Sequence, residues 1–184
     1  MRSPALHPDL RILDAGCGTG VTTFALHAAL EARGLSARRI DAFDLTPAML
    51  ERFRIRLASA EIEDVHLMQA NVLDLETLPE DWKGYDVVIT ASMLEYIPRS
   101  DLARALGGLR RRLREGGTLH LFITRNNFLM RPLIQRWWSA NLYTREELRG
   151  ALEEAGFVEF GFGHFPFPHR HLDLWGHVVR ARAR

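Results

Sequence analysis

Cysteine is almost absent from this 184-residue chain: Cys17 stands alone, which excludes an intramolecular disulfide and a cysteine-built metal site and fits a reducing compartment. Long apolar runs are missing too. No segment is long enough to span a bilayer, and the opening MRSPALHPDL lacks the continuous apolar stretch of a signal peptide, so the reading is a soluble, cytoplasmic protein with no integral membrane segment. Charge of one sign is equally scarce. With 24 basic and 23 acidic residues the formal net charge is +1, which leaves no global field to attract nucleic acid. Arg110, Arg111, Arg112, Arg114 and the terminal RARAR have no interleaved aromatic residues, so solvated faces explain them more simply than an RNA surface does. His164, His169, His171 and His177 lack the HxxxH register, and no metal site is expected. There is no internal repeat, low-complexity tract or linker. Length and a 47% hydrophobic content together predict one domain, 1–184, around one core.

What the chain does have is alternation. Short apolar runs bounded by turn residues take turns with stretches of helical period, the pattern of a doubly wound α/β fold: a mostly parallel seven-stranded sheet with helices on both faces. The runs predict strands at Arg11 to Ala15, Arg39 to Asp44, Val65 to Gln69, Tyr85 to Ala91, Gly117 to Thr124, Phe157 to Phe162 and Asp173 to Arg180. Helices are expected at Thr22 to Arg33, Pro47 to Ala60, Ser100 to Glu115 and Thr144 to Ala155. Gly34 and Gly156 are placed to end helices, and Thr144 with Glu147 matches a capping box.

The segment ILDAGCGTG puts Gly16, Gly18 and Gly20 at every second position of a turn between the first strand and the first helix. Without Cβ atoms the backbone there turns sharply and approaches a ligand closely, while the helix N-terminus offers amides to an anionic group. The spacing is GxGxG, not the GxGxxG of dinucleotide sites. Asp44 ends the second strand about two dozen residues past the loop, near the spacing at which a carboxylate reaches a ribose. The alternative for Asp44 is a cap on the helix beginning at Pro47, a task open also to Thr46.

The DxGxGxG pattern of Asp14 to Gly20 resembles the glycine motif of class I S-adenosylmethionine-dependent methyltransferases. MQANVLDLETLP, YDVVITASMLEYIP, LRRRLREGGTLHLFI and YTREELRGALEEAGFVEF resemble further stretches of that family, in its order, from about Leu10 to Phe160. The resemblance implies that Asp14, Gly16, Cys17, Gly18 and Gly20 line the site of the methionine part of S-adenosylmethionine, with Asp44 on the ribose hydroxyls and Leu45 against the adenine. Asn71, where the family more often has Asp, and the backbone of Val72 are implied at the adenine edge; Asp74 is a competing assignment. Ser92 and Met93 belong at the ligand-binding edge of strand four.

Methyl transfer from a sulfonium needs chiefly an aligned acceptor and exclusion of water, and a base only where the acceptor must lose a proton. Glu95, Tyr96 and Arg125, followed by Asn126 and Asn127, come from the ends of strands four and five and are the candidates for contact with the acceptor. Each has a plain structural alternative: Glu95 as a helix cap or ion-pair partner, the Arg125 segment as a turn. The stretch from Arg125 to Asn141 is rich in apolar residues, among them Trp137 and Trp138, and reads as core, as a lid over an apolar acceptor, or as a membrane or protein contact.

The sequence therefore points to methyl transfer to a small, partly apolar acceptor. A non-catalytic subunit of the same fold is the alternative, and an NAD-dependent oxidoreductase is disfavoured by the loop spacing. Related enzymes carry helices ahead of strand one. Here nine residues precede it, so a missing segment, a partner or an open pocket is expected at that place.

Overall fold

A computed structural model describes residues 9–126, 140–165 and 167–184. Of the stretch read as a possible lid, 127–139 lie outside the described residues.

Seven strands form one sheet: β1 (Leu10–Ala15), β2 (Ala37–Asp44), β3 (Val65–Gln69), β4 (Tyr85–Ala91), β5 (Leu113–Thr124), β6 (Glu159–Gly163) and β7 (Gly176–Arg182), in the order β3-β2-β1-β4-β5-β7-β6. The first five run parallel; β7 is antiparallel to both β5 and β6. Four helices are described, α1 (Val21–Glu31), α2 (Pro47–Ser59), α3 (Leu102–Arg112) and α4 (Arg145–Glu154). The central strands are apolar on both faces because both are covered. On one side Leu13, Val88, Leu119 and Leu121 pack with Leu106 and Leu109 of α3 and Leu148 and Leu152 of α4. On the other, Ile12, Ile40 and Ile89 pack with Leu30 of α1 and with Leu50 and Phe53 of α2. Among the described residues no helix is long and apolar enough to cross a membrane.

The boundaries shift where turn chemistry outweighs periodicity. Leu94–Tyr96 and Arg99–Asp101 are 3-10 turns on either side of Pro98, and α3 starts at Leu102 and not at the expected Ser100. That helix also stops before the expected Glu115. Leu113 turns extended and pairs with Tyr85, so Leu113 to Glu115 belong to β5. Arg112 ends the helix as a buried side chain whose guanidinium donates to the carbonyls of Leu75 and Trp82. Phe157 closes α4 by donating its amide to the Leu152 carbonyl across left-handed Gly156, which delays β6 to Glu159. His169–Leu174 is a 3-10 turn and not the start of β7.

β1 lies between β2 and β4, where the strand order reverses. In an open α/β sheet this is where a crevice forms above the carboxyl ends of the strands.

Candidate active site

A cavity of about 520 Å³ occupies that crevice, within the roughly 300–1,000 Å³ of small-molecule sites. Its wall is built from four segments. The glycine loop supplies Gly16, Cys17, Gly18 and Thr19; the end of β2 supplies Phe43, Asp44 and Leu45, with Met49 from α2; the turn after β3 supplies Asn71 and Val72; the end of β4 supplies Ser92, Met93 and Tyr96.

The glycines divide their work. All three have positive φ, at 74°, 54° and 82°. A Cβ on Gly16 would stand 2.3 Å from Cγ of Met93, and one on Gly20 would stand 2.1 Å from the Phe53 ring, so these two glycines allow close packing of the loop on β4 and α2. Gly18 is different, because nothing lies within 4 Å of its Cβ position. It is the glycine that keeps space open. Gly20 lies outside the cavity wall.

Asp14 also stands behind the loop. Period-2 alternation puts it on the Ile12 face of β1, where α1 covers it, and its Oδ2 accepts the Thr23 hydroxyl at 2.6 Å. Burial raises its pKa to about 6, the Thr23 bond opposing this and the charge of Asp44 adding to it. Burial, then the charges of Asp14 and Asp44, push the Cys17 thiol far above its ordinary range, which leaves a small wall residue and no nucleophile.

Asp44 ties the loop to β2. Its Oδ2 accepts the Gly18 amide at 2.9 Å and its Oδ1 accepts the Thr46 amide at 2.8 Å. Each carboxylate oxygen retains a second lone pair at the cavity wall. Thr46 precedes α2 without a side-chain cap bond. Leu45, 60% exposed, and Met49 give the wall an apolar flank. Asn71 Oδ1 accepts the Leu73 amide at 2.9 Å, so its side-chain amide group is the part left to donate. Of the two competing residues only Asn71 belongs to the cavity wall; Asp74 starts the next 3-10 turn.

The three acceptor-side candidates separate. Tyr96 lines the cavity with 58% of its surface exposed, and its phenol is pushed up by burial and then by Glu95, which keeps it a hydrogen-bond donor. Glu95 points away and is buried. It accepts the Thr124 amide at 3.0 Å and the Thr124 hydroxyl at 2.7 Å, while its backbone carbonyl accepts the Asn141 amide. Burial raises its pKa against these bonds. Arg125 lies off the cavity, its guanidinium 3.3 Å from the Asp173 carbonyl. Two features escape a reading of sequence. Ser92 has φ 53°, a left-handed conformation held by its amide bond to the Phe122 carbonyl, and Arg56 of α2 clamps the Thr19 carbonyl at 2.6 Å. Neither has a motif.

Comparison with known proteins agrees with this geometry. Residues 12–117 match the methyltransferase domain family. The highly reducing polyketide synthase NEC1 of Pyricularia oryzae is 30% identical over 184 residues, covering 88% of this chain and 6% of that protein. In structure, the S-adenosylmethionine-dependent methyltransferase SibL in its apo form aligns over 100% of this chain and 53% of its own, with TM-score 0.74 and 22% identity. The CurJ carbon methyltransferase aligns over 98% and 50%, with TM-score 0.74 and 20% identity; both likenesses are likenesses of fold. The chain spans a small part of the polyketide synthase and about half of each structural neighbour. It belongs to the methyltransferase domain family.

The wall fits S-adenosylmethionine, the cofactor that the DxGxGxG resemblance implies. An open glycine, a carboxylate with free lone pairs, an apolar flank and a side-chain amide suit in turn an amino-acid end, a ribose, a purine face and a purine edge.

Proposed function

We propose that this chain transfers a methyl group from S-adenosylmethionine to a small, partly apolar acceptor, and that the acceptor is a carbon acid of polyketide type. In this reading the amides around Gly16 and Gly18 take the methionine end, and Asp44 takes the ribose hydroxyls with its remaining lone pairs. Leu45 and Val72 flank the adenine, Asn71 donates to its edge, and Ser92 borders the sulfur side. Asp14 and Gly20 act from behind, holding the loop. The cofactor brings an electrophilic methyl group; the protein aligns the acceptor and excludes water. Tyr96 is the residue proposed to face the acceptor, as a hydrogen-bond donor to a carbonyl, with Glu95 as its buried support. The observation that carries the reading is the cavity itself, formed by the glycine loop and the ends of β2 and β4. The carbon acceptor draws support from the polyketide synthase and the carbon methyltransferase among the similar proteins.

Calorimetric titration with S-adenosylmethionine, and separately with NAD, tests the site. Micromolar binding of the methyl donor alone, weakened about tenfold or more in Asp44→Ala, is the expected result. Donor binding without turnover of any acceptor would favour a non-catalytic subunit. Equal affinity in the variant would remove Asp44 from the ribose.

A further inference from the structure

A carbon acid must lose a proton before or as it takes the methyl group, and none of the wall residues named above is a base suited to remove it. The connection between β6 and β7 carries a histidine paired with a carboxylate, His164 and Asp173. Gly163 pairs with Val178 and Thr124 pairs with Gly176, so His164, Phe165 and residues 167–175 sit at the same edge of the sheet as the carboxyl ends of β4 and β5. Contacts lead from there to the cavity. Ser92, in the cavity wall, donates its amide to the Phe122 carbonyl, and the Phe122 ring lies 5.9 Å from that of Phe165. His164 is the residue before Phe165.

In this connection Asp173 uses both carboxylate oxygens. Oδ1 accepts the Phe165 amide at 2.8 Å, and Oδ2 lies 2.8 Å from Nδ1 of His164. The Phe165 amide, followed by His164, holds the Asp173 carboxyl below its ordinary range, so it is ionised at neutral pH and can only accept. Nδ1 must therefore carry the proton, which leaves the lone pair of the neutral ring on Nε2. That atom has no partner among the described residues, and 56% of the His164 side chain is open. The guanidinium of Arg125 is directed to the Asp173 backbone carbonyl, away from the carboxylate.

We propose that His164 is the general base of the reaction and that Asp173 is its positioning residue, fixing the tautomer and the direction of the ring; this rests on the carbon-acceptor reading above. Nε2 of His164 takes the proton from the acceptor carbon. The electron pair left by that C–H bond forms the new carbon–carbon bond, the methyl–sulfur bond breaks with its pair remaining on sulfur, and the imidazolium then returns its proton to water.

The test uses the full chain with S-adenosylmethionine and acetoacetyl-N-acetylcysteamine thioester as the probe. Turnover should fall about 10²–10⁴-fold in His164→Ala while donor affinity by calorimetry stays within about twofold, and added imidazole should restore part of the rate. Nitrogen-15 spectra of the chain alone, without donor or acceptor, give a second readout. They should show His164 protonated at Nδ1 in the wild type and as mixed tautomers in Asp173→Asn, which should lose less turnover than His164→Ala. A His164→Ala rate within about threefold of wild type, or a wild-type ring protonated at Nε2, overturns the assignment. If the wild type methylates the thioester and His164→Ala does so equally, the dyad fails and the carbon-acceptor reading stands. If the wild type binds the donor and leaves the thioester untouched, that reading fails and takes the dyad's role with it.

Discussion

At the scale of single residues, the glycine loop shows how one motif holds two kinds of glycine. Gly18 and Gly20 share left-handed backbone, so an alanine at either is strained by about 1–2 kcal/mol. At Gly20 the added methyl also overlaps the Phe53 ring, within a core that does not yield easily. Gly20→Ala should therefore lose roughly 2–4 kcal/mol of stability, read as a lowered urea midpoint. Gly18→Ala should lose only about 1 kcal/mol and yet bind S-adenosylmethionine about tenfold or more weakly, because its methyl enters the open space. Donor binding at wild-type strength in Gly18→Ala would show that the open space belongs to something other than the cofactor. The motif itself was legible in the sequence; this division was not, since it depends on Met93 and Phe53, which lie 77 and 33 positions along the chain from Gly16 and Gly20.

 Asp14 was misplaced for a related reason. Its motif position suggested the cavity wall, whereas strand alternation and Thr23 in the first turn of α1 turn it inward, a signal that was available in the sequence.

At the scale of elements, strands were more legible than the joints between them. β3 and β4 have the boundaries expected from their apolar runs, and α4 begins where the capping box put it. The joints depended on contacts distant in the chain. Leu113 leaves the helical pattern of LRRRLRE because Tyr85 pairs with it, and Glu95 turns inward because the amide and hydroxyl of Thr124 donate to its carboxylate. Local propensity carries neither fact. The Thr144 cap is the clearest test of an element formed by local chemistry alone. The Glu147 amide donates to Thr144 Oγ1 at 3.2 Å, and the Thr144 amide donates to Glu147 Oε2 at 2.7 Å. Thr144→Ala should cost about 1 kcal/mol in urea unfolding with no change in donor affinity, because α4 packs on the face of the sheet away from the glycine loop and α2. A weakened donor titration in this variant would mean that α4 is coupled to the cavity.

At the scale of the whole molecule, the carboxyl of Asp14 reports on folding, since it sits in β1 between β2 and β4 and is sealed there by α1. In the native state its pKa is about 6, raised first by burial, against an ordinary value of 3.8. The folded protein thus keeps a proton that the unfolded chain has already released between about pH 4 and pH 6. Its contribution to stability is fully present below the lower value and is lost as pH rises through the upper one, an effect of roughly 2–3 kcal/mol. Asp14→Asn keeps an oxygen for the Thr23 hydroxyl and removes the titration. Urea unfolding of both proteins at intervals from pH 4 to pH 7 should show the wild type losing stability relative to the variant across that window and running parallel to it above. Parallel curves throughout would mean that Asp14 is ionised in the native fold at no cost. The same titration repeated with saturating S-adenosylmethionine separates the two scales: a donor that binds only the folded chain raises both curves by the same amount, about 2.7 kcal/mol at 100 times its Kd, unless its charge reaches Asp14 through Asp44.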